Sequence, residues 1–267
     1  MKLPARAGRK AVTMLLAVSV GNSHITFGVF EAGAWIRRWR IQTVHAKTSD
    51  EYLVIFRTLL EAAAVPAGRI TSAILSSVVP PLASTMIEAI HELGRAPLLL
   101  TPALDLGLRI TTENPSEVGA DLVANAVAAF DRFHGNCIVV DFGTALSFTA
   151  VAAPGELRGV AIAPGLTSAM ESLARNTAQL SAVPLAPPPV AVGRNSMHSI
   201  QAGIMFGYVG LVGEIIRRMR AELGGNADVA VTGGQSQIMA PLLGEKVLHE
   251  QWLTLEGLRI IADRNAR

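Results

Sequence analysis

The pattern of hydrophobic and polar positions predicts strands and helices in alternation along the chain. Short apolar runs bounded by Gly, Asn or Pro are typical of buried strands, and apolar residues three or four positions apart are typical of amphipathic helices. In the first half, this pattern predicts strands over residues 14–20, 25–30, 34–41, 73–77 and 96–100, and helices over 50–64, 82–93 and 121–133. The alternation indicates an α/β fold.

The same order of elements restarts after residue 134. It predicts strands over 138–142, 147–152, 157–162 and 228–232, helices over 166–180, 199–223 and 255–264, and a proline-rich extended loop over 183–192. The segments LAVSVGNSHITFGVF and IVVDFGTALSFTAV share one outline, a strand, a glycine turn and a second strand. We therefore expect a duplicated architecture, with a flexible tail over 1–13, an N-terminal lobe over 14–134 and a C-terminal lobe over 135–267.

Composition narrows the class of protein. Of the 267 residues, 50% are hydrophobic and 16% are charged, which is ample material for a sizeable core. The apolar run near the start stops at Gly21-Asn22, well short of the roughly 20 residues of a spanning helix. No small-residue cleavage site follows that run cleanly. We therefore expect a cytoplasmic protein that does not enter a membrane.

Cysteine, charge and histidine exclude further classes. The single cysteine, Cys137, lies in an apolar run, so a disulfide framework is excluded and a buried strand position is expected. The net charge is only +2 and the basic residues are scattered, which does not favour nucleic acid as a partner. The six histidines are dispersed, without the spacing of a metal site.

Glycine turns mark a candidate phosphate site. Gly21-Asn22-Ser23 and Gly143-Thr144 each follow the first strand of one half, and Gly233-Gly234 follows a later strand. A glycine lets the backbone approach an anion closely, and successive N–H groups can surround it. One such turn is common at a strand end, but two at the head of two similar halves favour nucleotide binding.

Ordered segments along almost the whole chain from residue 14 resemble the type III pantothenate kinase family. They are SVGNS (19–23), SSVVPPL (76–82), NPSEVGADLVANAVAAF (114–130), VVDFGTA (139–145), GVAIAPGL (159–166), GRNS (193–196), QAGIMFGYVGLV (201–212), VTGG (231–234) and WLTLEGLRII (252–261). The resemblance implies the two similar lobes of the actin, sugar-kinase and heat-shock ATPase superfamily, a duplicated ribonuclease H-like fold that holds nucleotide between its lobes.

The resemblance also implies a reaction and its cofactors. The family transfers the γ-phosphoryl group of ATP to the hydroxyl of pantothenate, the first step of coenzyme A biosynthesis. Its members are dimers, use Mg²⁺ and need a monovalent cation, K⁺ or NH₄⁺. Such a transfer depends on positioning and charge neutralisation, with a carboxylate near the nucleophile.

Roles for individual residues follow from the same resemblance. Asp121 would be the base that accepts the hydroxyl proton, and Asp141 would hold the monovalent cation. The residues implied for ATP are Ser19, Gly21, Asn22, Ser23, Gly143, Thr144, Gly233 and Gly234. The residues implied for pantothenate are Thr112, Gly119, Ala120, Asp121, Leu122 and Ser196.

The chain departs from the family pattern at several of these positions. Ser19 stands in place of an aspartate at the magnesium–phosphate end, and Leu122 in place of an arginine suited to the pantothenate carboxylate. Thr112 replaces a tyrosine, Thr149 an aspartate and Ser196 a threonine. Losing one charge-assisted contact typically costs about 1.5–3 kcal/mol.

Three hypotheses therefore stay open: a pantothenate kinase, active or impaired; a catalytically degenerate member with a binding or regulatory role; and a kinase for another small alcohol. Single residues also keep simpler interpretations. Asp121 could cap the helix that follows it. Asp141 ends a buried strand, where an unpaired carboxylate would be costly, and this favours a functional role.

Overall fold

Two mixed β-sheets organise the chain, one in each of two units that divide between Leu100 and Thr101. The computed structural model describes residues 14–177, 180–244 and 246–266. The predicted tail over residues 1–13 lies outside the described residues. Each unit is described by itself below.

The first unit has, from residue 14 onward, a five-stranded sheet of order β3-β2-β1-β4-β5 and two α-helices. Its elements are β1 (Leu15–Val20), β2 (His24–Glu31), β3 (Ala34–Gln42), α1 (Ser49–Ala62), β4 (Ser72–Ser77), α2 (Pro80–His91) and β5 (Leu98–Leu99). The β1, β2 and β3 strands form an antiparallel meander, and β4 and β5 continue the sheet in parallel with β1.

Local sequence accounts for these elements. Every residue of β1 is buried, as expected for an apolar run at the centre of a sheet. Thr48 and Glu51 form a capping box that begins α1, and the apolar face of this helix, which includes Tyr52 and Phe56, packs into the core of the unit. In that core, Phe27 stacks on Trp39 with ring centroids 4.9 Å apart.

The second unit is a six-stranded sheet of order β11-β10-β7-β8-β9-β6 with five helices among its described residues. The strands are β6 (Arg109–Ile110), β7 (Cys137–Phe142), β8 (Ala145–Ala152), β9 (Glu156–Pro164), β10 (Asp228–Thr232) and β11 (Leu248–His249). The helices are α3 (Ala120–Phe133), α4 (Leu166–Arg175), α5 (Ser196–Glu222), α6 (Ser236–Met239) and α7 (Leu253–Arg264).

The two sheets repeat one topology, which confirms the predicted duplication. In the second unit, β7, β8 and β9 form the antiparallel meander, and β10 and β11 run parallel to β7. These five strands correspond in order and direction to β1, β2, β3, β4 and β5. The short β6, which pairs with the start of β9, has no counterpart in the first sheet.

Residues 101–134 belong to the second unit, although the repeated pattern that underlies the predicted lobe boundary restarts only after residue 134. The reason is the packing of α3 against α7. Gly257 on α7 lies so close to α3 that a Cβ atom there would overlap the carbonyl oxygen of Ala124. The helix that leads to the second sheet is therefore anchored to the end of the chain.

Most elements begin and end within three residues of the predicted bounds, but two are much shorter than predicted. The helix predicted over 166–180 ends at Arg175, and beyond it the Asn176 and Thr177 side chains donate hydrogen bonds to the carbonyls of Ser172 and Leu173. The extended segment predicted over 96–100 contains only the two-residue β5. The short elements β6, β11 and α6 were not predicted, since two to four residues carry no periodicity.

The long helix α5 is a partly buried core helix of the second unit. By length and composition it could span a membrane, and one third of its most apolar 18-residue window is buried. Met205, Tyr208, Val212 and Ile216 pack into the core formed with β7 and β8. The Tyr208 hydroxyl also donates a 2.8 Å hydrogen bond to the carbonyl of Pro164, which ties the helix to the end of β9.

Candidate active site

The predicted phosphate turn of the first unit is held in one conformation by Thr43. Gly21 donates its N–H to the His24 carbonyl over 3.0 Å, and a Cβ at Gly21 would lie only 3.0 Å from that oxygen. The Thr43 hydroxyl donates to the Gly21 carbonyl over 2.7 Å, and the Thr43 N–H donates to the Ser23 carbonyl over 2.9 Å. The tip residue Asn22 is exposed.

Ser19 lies in β1, just before this turn. It is 6% exposed, and its Oγ accepts a 3.1 Å hydrogen bond from the hydroxyl of Ser76 on the neighbouring parallel strand β4. The pair is satisfied and uncharged. The position therefore offers a neutral hydroxyl, where a carboxylate would add a negative charge next to the turn.

The corresponding turn of the second unit, Gly143-Thr144, is braced by the start of α4. The Thr144 carbonyl accepts hydrogen bonds from the Gly165 N–H at 3.2 Å and from the Ser168 hydroxyl at 3.0 Å. A Cβ at Gly165 would overlap the carbonyl oxygens of the turn, so this approach requires glycine. The exposed Thr144 side chain is thereby held at a fixed backbone position.

The Gly233-Gly234 turn lies against the same strand end. Gly233 has φ +96°, which favours glycine, and a Cβ there would overlap Oδ1 of Asp141 and the backbone of Phe142. The Gln235 N–H donates to the Phe142 carbonyl over 3.1 Å. The structure thus brings together two predicted nucleotide turns and the predicted cation carboxylate at the end of β7.

Asp141 is half-buried and takes part in a hydrogen-bond chain. Its Oδ2 accepts from Nδ2 of Asn125 at 3.0 Å, and Oδ1 of Asn125 accepts from the Thr254 hydroxyl at 2.8 Å. Sequence reasoning assigned no role to Asn125 or Thr254. The available signal was the position of Asn125 itself, a polar residue in an alanine-rich helix four residues after Asp121.

Asp121 lies in the first turn of α3. The N-cap residue is Gly119, so Asp121 does not occupy the capping position, although its Oδ1 accepts the Leu122 N–H at 2.8 Å. Burial raises the pKa of the Asp121 carboxyl, and the hydrogen bonds from the backbone N–H groups of Leu122 and Asp121 oppose this shift. A carboxyl whose pKa is raised towards neutrality is suited to accept a proton.

The remaining predicted substrate residues lie in three parts of the second unit. Gly119, Ala120 and Leu122 surround Asp121 at the start of α3, while the Thr112 hydroxyl is buried without a hydrogen-bond partner among the described residues. Ser196 is exposed at the first position of α5, where Asn195 caps the helix. It lines a separate groove of about 650 Å³ with α4 and the preceding loop.

The residues present suit a hard cation more than a transition metal. Among the described residues, no group of three or more His, Cys, Asp or Glu is arranged to hold a metal ion. A carboxylate oxygen such as that of Asp141, next to the backbone of a glycine turn, is the oxygen chemistry that hard cations take. Asp141 therefore fits the implied monovalent cation.

Comparison with known proteins identifies the family. Residues 15–218 match the family described as Type III pantothenate kinase. The Type III pantothenate kinase of Anaeromyxobacter dehalogenans strain 2CP-C is 44% identical over 253 residues, which cover 94% of this chain and 100% of the relative. That of Myxococcus xanthus strain DK1622 is 44% identical over 255 residues, with 94% and 99% covered.

Solved structures agree on the fold. A conserved putative Baf family transcriptional activator from Campylobacter jejuni superposes with a TM-score of 0.61 at 16% identity, covering 94% of this chain and 98% of that one. At this identity the likeness concerns the fold alone. Together with the repeated sheets, it confirms the predicted fold, an actin-like ATPase architecture of two α/β lobes.

Proposed function

The chain belongs to the type III pantothenate kinase family, and on this premise we propose that Asp121 is the base that accepts the hydroxyl proton of pantothenate. Membership makes the protein a phosphotransferase that uses ATP in coenzyme A biosynthesis. The observation that carries the residue assignment is the half-buried carboxyl of Asp121 at the start of α3, whose pKa is raised by desolvation. A base with such a pKa can take the proton as the oxygen attacks phosphorus.

For nucleotide binding, we propose that the glycine turns hold the phosphates of ATP through backbone N–H groups. Two turns are pre-organised, one by Thr43 and the other by Gly165 and Ser168. A turn that is already ordered loses little conformational entropy when an anion binds. Ser23 and Thr144 can add hydroxyl donors to phosphate oxygens.

For the cations, Asp141 is proposed to hold K⁺ or NH₄⁺. Mg²⁺ would bind chiefly through the ATP phosphates, because Ser19 supplies a hydroxyl and no charge near the turn. When bound, both cations would neutralise phosphate charge. The contribution of the chain is to place Asp141 against Gly233 and to keep the carboxylate oriented.

For pantothenate, the proposed contacts are the first turn of α3 and the Thr112 hydroxyl, which is buried and unpartnered among the described residues. Ser196 would contribute a hydroxyl from the start of α5. Leu122 presents an apolar side chain that cannot pair with the pantothenate carboxylate. We therefore expect weaker binding of pantothenate than an arginine at this position would provide.

We also propose a homodimer through α5, and a cytoplasmic location. Gly203, Gly207, Gly210 and Gly213 lie on the exposed side of α5, and a Cβ at any of them would meet nothing within 4 Å. Four glycines in one helix cost about 0.8–1 kcal/mol each relative to alanine, and no packing against the described residues requires them. Phe206, on the same side, is 38% exposed. Close approach of the same helix from a second copy would account for all five residues.

The test is phosphorylation of pantothenate by the purified protein with ATP, Mg²⁺ and K⁺. We expect turnover in the wild type and a loss of about 10²–10⁴-fold in Asp121→Asn, since the base is removed without a change of shape. The matched control is Asp131→Asn, an exposed carboxylate at the other end of α3, which should keep full turnover.

The outcomes separate the open hypotheses. Turnover that survives in Asp121→Asn would contradict the assignment of the base. A folded wild type without turnover would favour the degenerate member or the kinase for another alcohol. A screen of alcohols that lack a carboxylate, which Leu122 would tolerate, would then distinguish these two.

A further inference from the structure

The side chain of Asn125 joins three elements of the second unit. It is fully buried at 0% exposure, projects from α3 and bonds to Asp141 at the end of β7 and to Thr254 in the first turn of α7. These partners are 16 and 129 positions away in the sequence. Both functional ends of the amide are therefore used in contacts between elements.

Donors and acceptors can be assigned in only one way in these two hydrogen bonds. A carboxylate only accepts hydrogen bonds, so Asp141 requires the NH₂ end of the Asn125 amide. The Thr254 hydroxyl donates to the carbonyl end and satisfies it. A flipped amide would place its oxygen against the carboxylate inside the protein, where an unsatisfied or repelling polar pair is costly.

The same residue connects the carboxylate to the helix that bears Asp121. Asp121 and Asn125 are four positions apart on α3 and therefore lie on one face of the helix, with Cβ atoms about 5–6 Å apart. The helix has little freedom to shift, because Gly257 of α7 lies directly against the Ala124 carbonyl. The orientation of Asn125 is thus set by a rigid pair of helices.

We propose that Asn125, oriented by Thr254, is a positioning residue that holds the Asp141 carboxylate in the geometry needed for the monovalent cation. The inference rests on the proposed function, in which Asp141 binds this cation. Partners that hydrogen-bond to a metal ligand fix its direction, and their loss typically lowers metal affinity or activity about 10–100-fold. A merely structural bond would lower stability and leave cation affinity unchanged.

The test compares three variants with wild type. Thr254→Val removes the hydroxyl and keeps the shape, Thr254→Ser restores a hydroxyl, and Asn125→Leu removes the amide. Thr71→Val is the matched control, since it also deletes a threonine hydroxyl that donates to an oxygen, the Met14 carbonyl, but lies in the first unit. Each protein is assayed for the K⁺ concentration of half-maximal activation, for kcat and KM at saturating K⁺, and for the rise in Tm caused by KCl relative to choline chloride.

We expect Thr254→Val to raise the half-activating K⁺ concentration about tenfold and to shrink the KCl-dependent rise in Tm, with KM for pantothenate at saturating K⁺ unchanged. Thr254→Ser should restore both values, and Thr71→Val should leave both unchanged. Thr254→Val should add nothing to the effect of Asn125→Leu, because both act through one contact.

Negative results with the Thr254→Val variant and with wild type would have different meanings. A wild type that responds to K⁺ together with a Thr254→Val variant of unchanged K⁺ response would overturn the positioning role and leave the role of Asp141 intact. A wild type without any response to K⁺, in activity or in Tm, would overturn the assignment of Asp141 and this inference with it. Turnover that depends on Asp121 would still support the proposed base in that case.

Discussion

Burial changes the acid–base character of Cys137 and Asp121 in the second unit. It raises the pKa of the Cys137 thiol to about 12, and the charge of Asp228 adds to the shift. Cys137 lies buried in β7, as predicted from the sequence, and a thiol with so high a pKa is unreactive at neutral pH. Burial also raises the pKa of Asp121. This carboxyl lies at the start of α3 next to the predicted substrate residues, where it could accept the proton of the substrate hydroxyl.

The raised pKa of Asp121 predicts a characteristic pH dependence. Activity should fall as the pH drops through this raised pKa, and hence at a higher pH than an ordinary aspartate would give. Stability should change in the opposite direction. The folded state binds this proton more tightly than the unfolded state, so stability is gained as pH falls through the raised pKa and is lost above it.

Asp121→Asn should therefore keep or raise Tm at neutral pH despite its loss of turnover, because it removes a partly desolvated charge. Thermal unfolding of wild type and variant between pH 4 and pH 8 measures this, with Asp131→Asn as the reference for an exposed carboxylate. A variant that melts well below wild type at neutral pH would show that the ionised carboxylate stabilises the fold instead.

Ser19 and Leu122 are the two positions where restoring a charge should raise activity. The double change Ser19→Asp and Leu122→Arg should raise kcat/KM for pantothenate at least about tenfold, because each new charge can make a charge-assisted contact. The Ser76 hydroxyl, now bonded to Ser19, can donate to the new carboxylate. Ser72→Asp, at the far end of β4, is the matched control for an added carboxylate. No gain from the double change would indicate a remodelled pocket.

Among the elements, the two phosphate turns are held by backbone and side-chain hydrogen bonds from residues outside them. The bonds from Thr43 to Gly21 and Ser23 connect the end of β3 with the β1–β2 turn. In the second unit, the N–H of Gly165 and the hydroxyl of Ser168, on α4, have the same function for Thr144. The two units thus share a sheet topology, but they hold their phosphate turns by different contacts.

Thr43→Val should loosen the first turn. We expect the KM for ATP to rise several-fold, since a bond worth about 1 kcal/mol now orders the turn before ATP binds. The KM for pantothenate should change little. Steady-state kinetics at varied ATP tests this, with Thr71→Val as the control. An unchanged KM for ATP would show that the turn needs no brace or does not touch the nucleotide.

Substituting one of the exposed glycines of α5 should affect the helix and the dimer in opposite ways. Gly207→Ala should favour the isolated helix by up to about 1 kcal/mol, because the position is open and alanine is the better helix former. If a second copy packs there, the added methyl group should weaken the dimer. Sedimentation of wild type and variant over a range of concentrations measures this.

The control for α5 is Val54→Ala on α1, an exposed position of the first unit that should leave the mass unchanged. A wild-type protein that sediments as a monomer at micromolar concentration would contradict the proposed dimer. A Gly207→Ala dimer as tight as wild type would place the interface on another surface.

For the whole molecule, nucleotide binding should raise the melting temperature. A ligand at 100 times its Kd stabilises the folded state by about 2.7 kcal/mol, or about 5–10 °C in Tm for a chain of this size. We expect this shift with MgATP and a much smaller one with AMP, which lacks the β- and γ-phosphates.

Asp121→Asn should keep the full shift with MgATP, since the proposed base acts on the acceptor and not on the nucleotide. Differential scanning fluorimetry measures all three cases. Equal shifts with MgATP and AMP would contradict phosphate recognition by the turns, and a shift lost in Asp121→Asn would show that this carboxylate also serves nucleotide binding.

Much of this protein could be predicted from its sequence because the relevant signals are local. Apolar periodicity placed every helix of ten or more residues and every strand of five or more, with bounds that differ by a few residues at most ends. Repetition of the strand–glycine–strand outline predicted the duplicated sheet. Polar positions at the end of an apolar strand just before a glycine turn, such as Asp141, indicated function because an apolar strand rarely ends in a carboxylate without a reason.

What only the tertiary structure decided are contacts between distant parts of the chain. The Asn125 bonds to Asp141 and Thr254, the Thr43 bond to Gly21 and the pairing of β6 with β9 span 16 to 129 positions, and no periodicity encodes them. The same holds for the packing of α3 on α7, which assigns residues 101–134 to the second unit. Local patterns determine which elements form, whereas the orientation of a side chain within a site depends on which elements pack together.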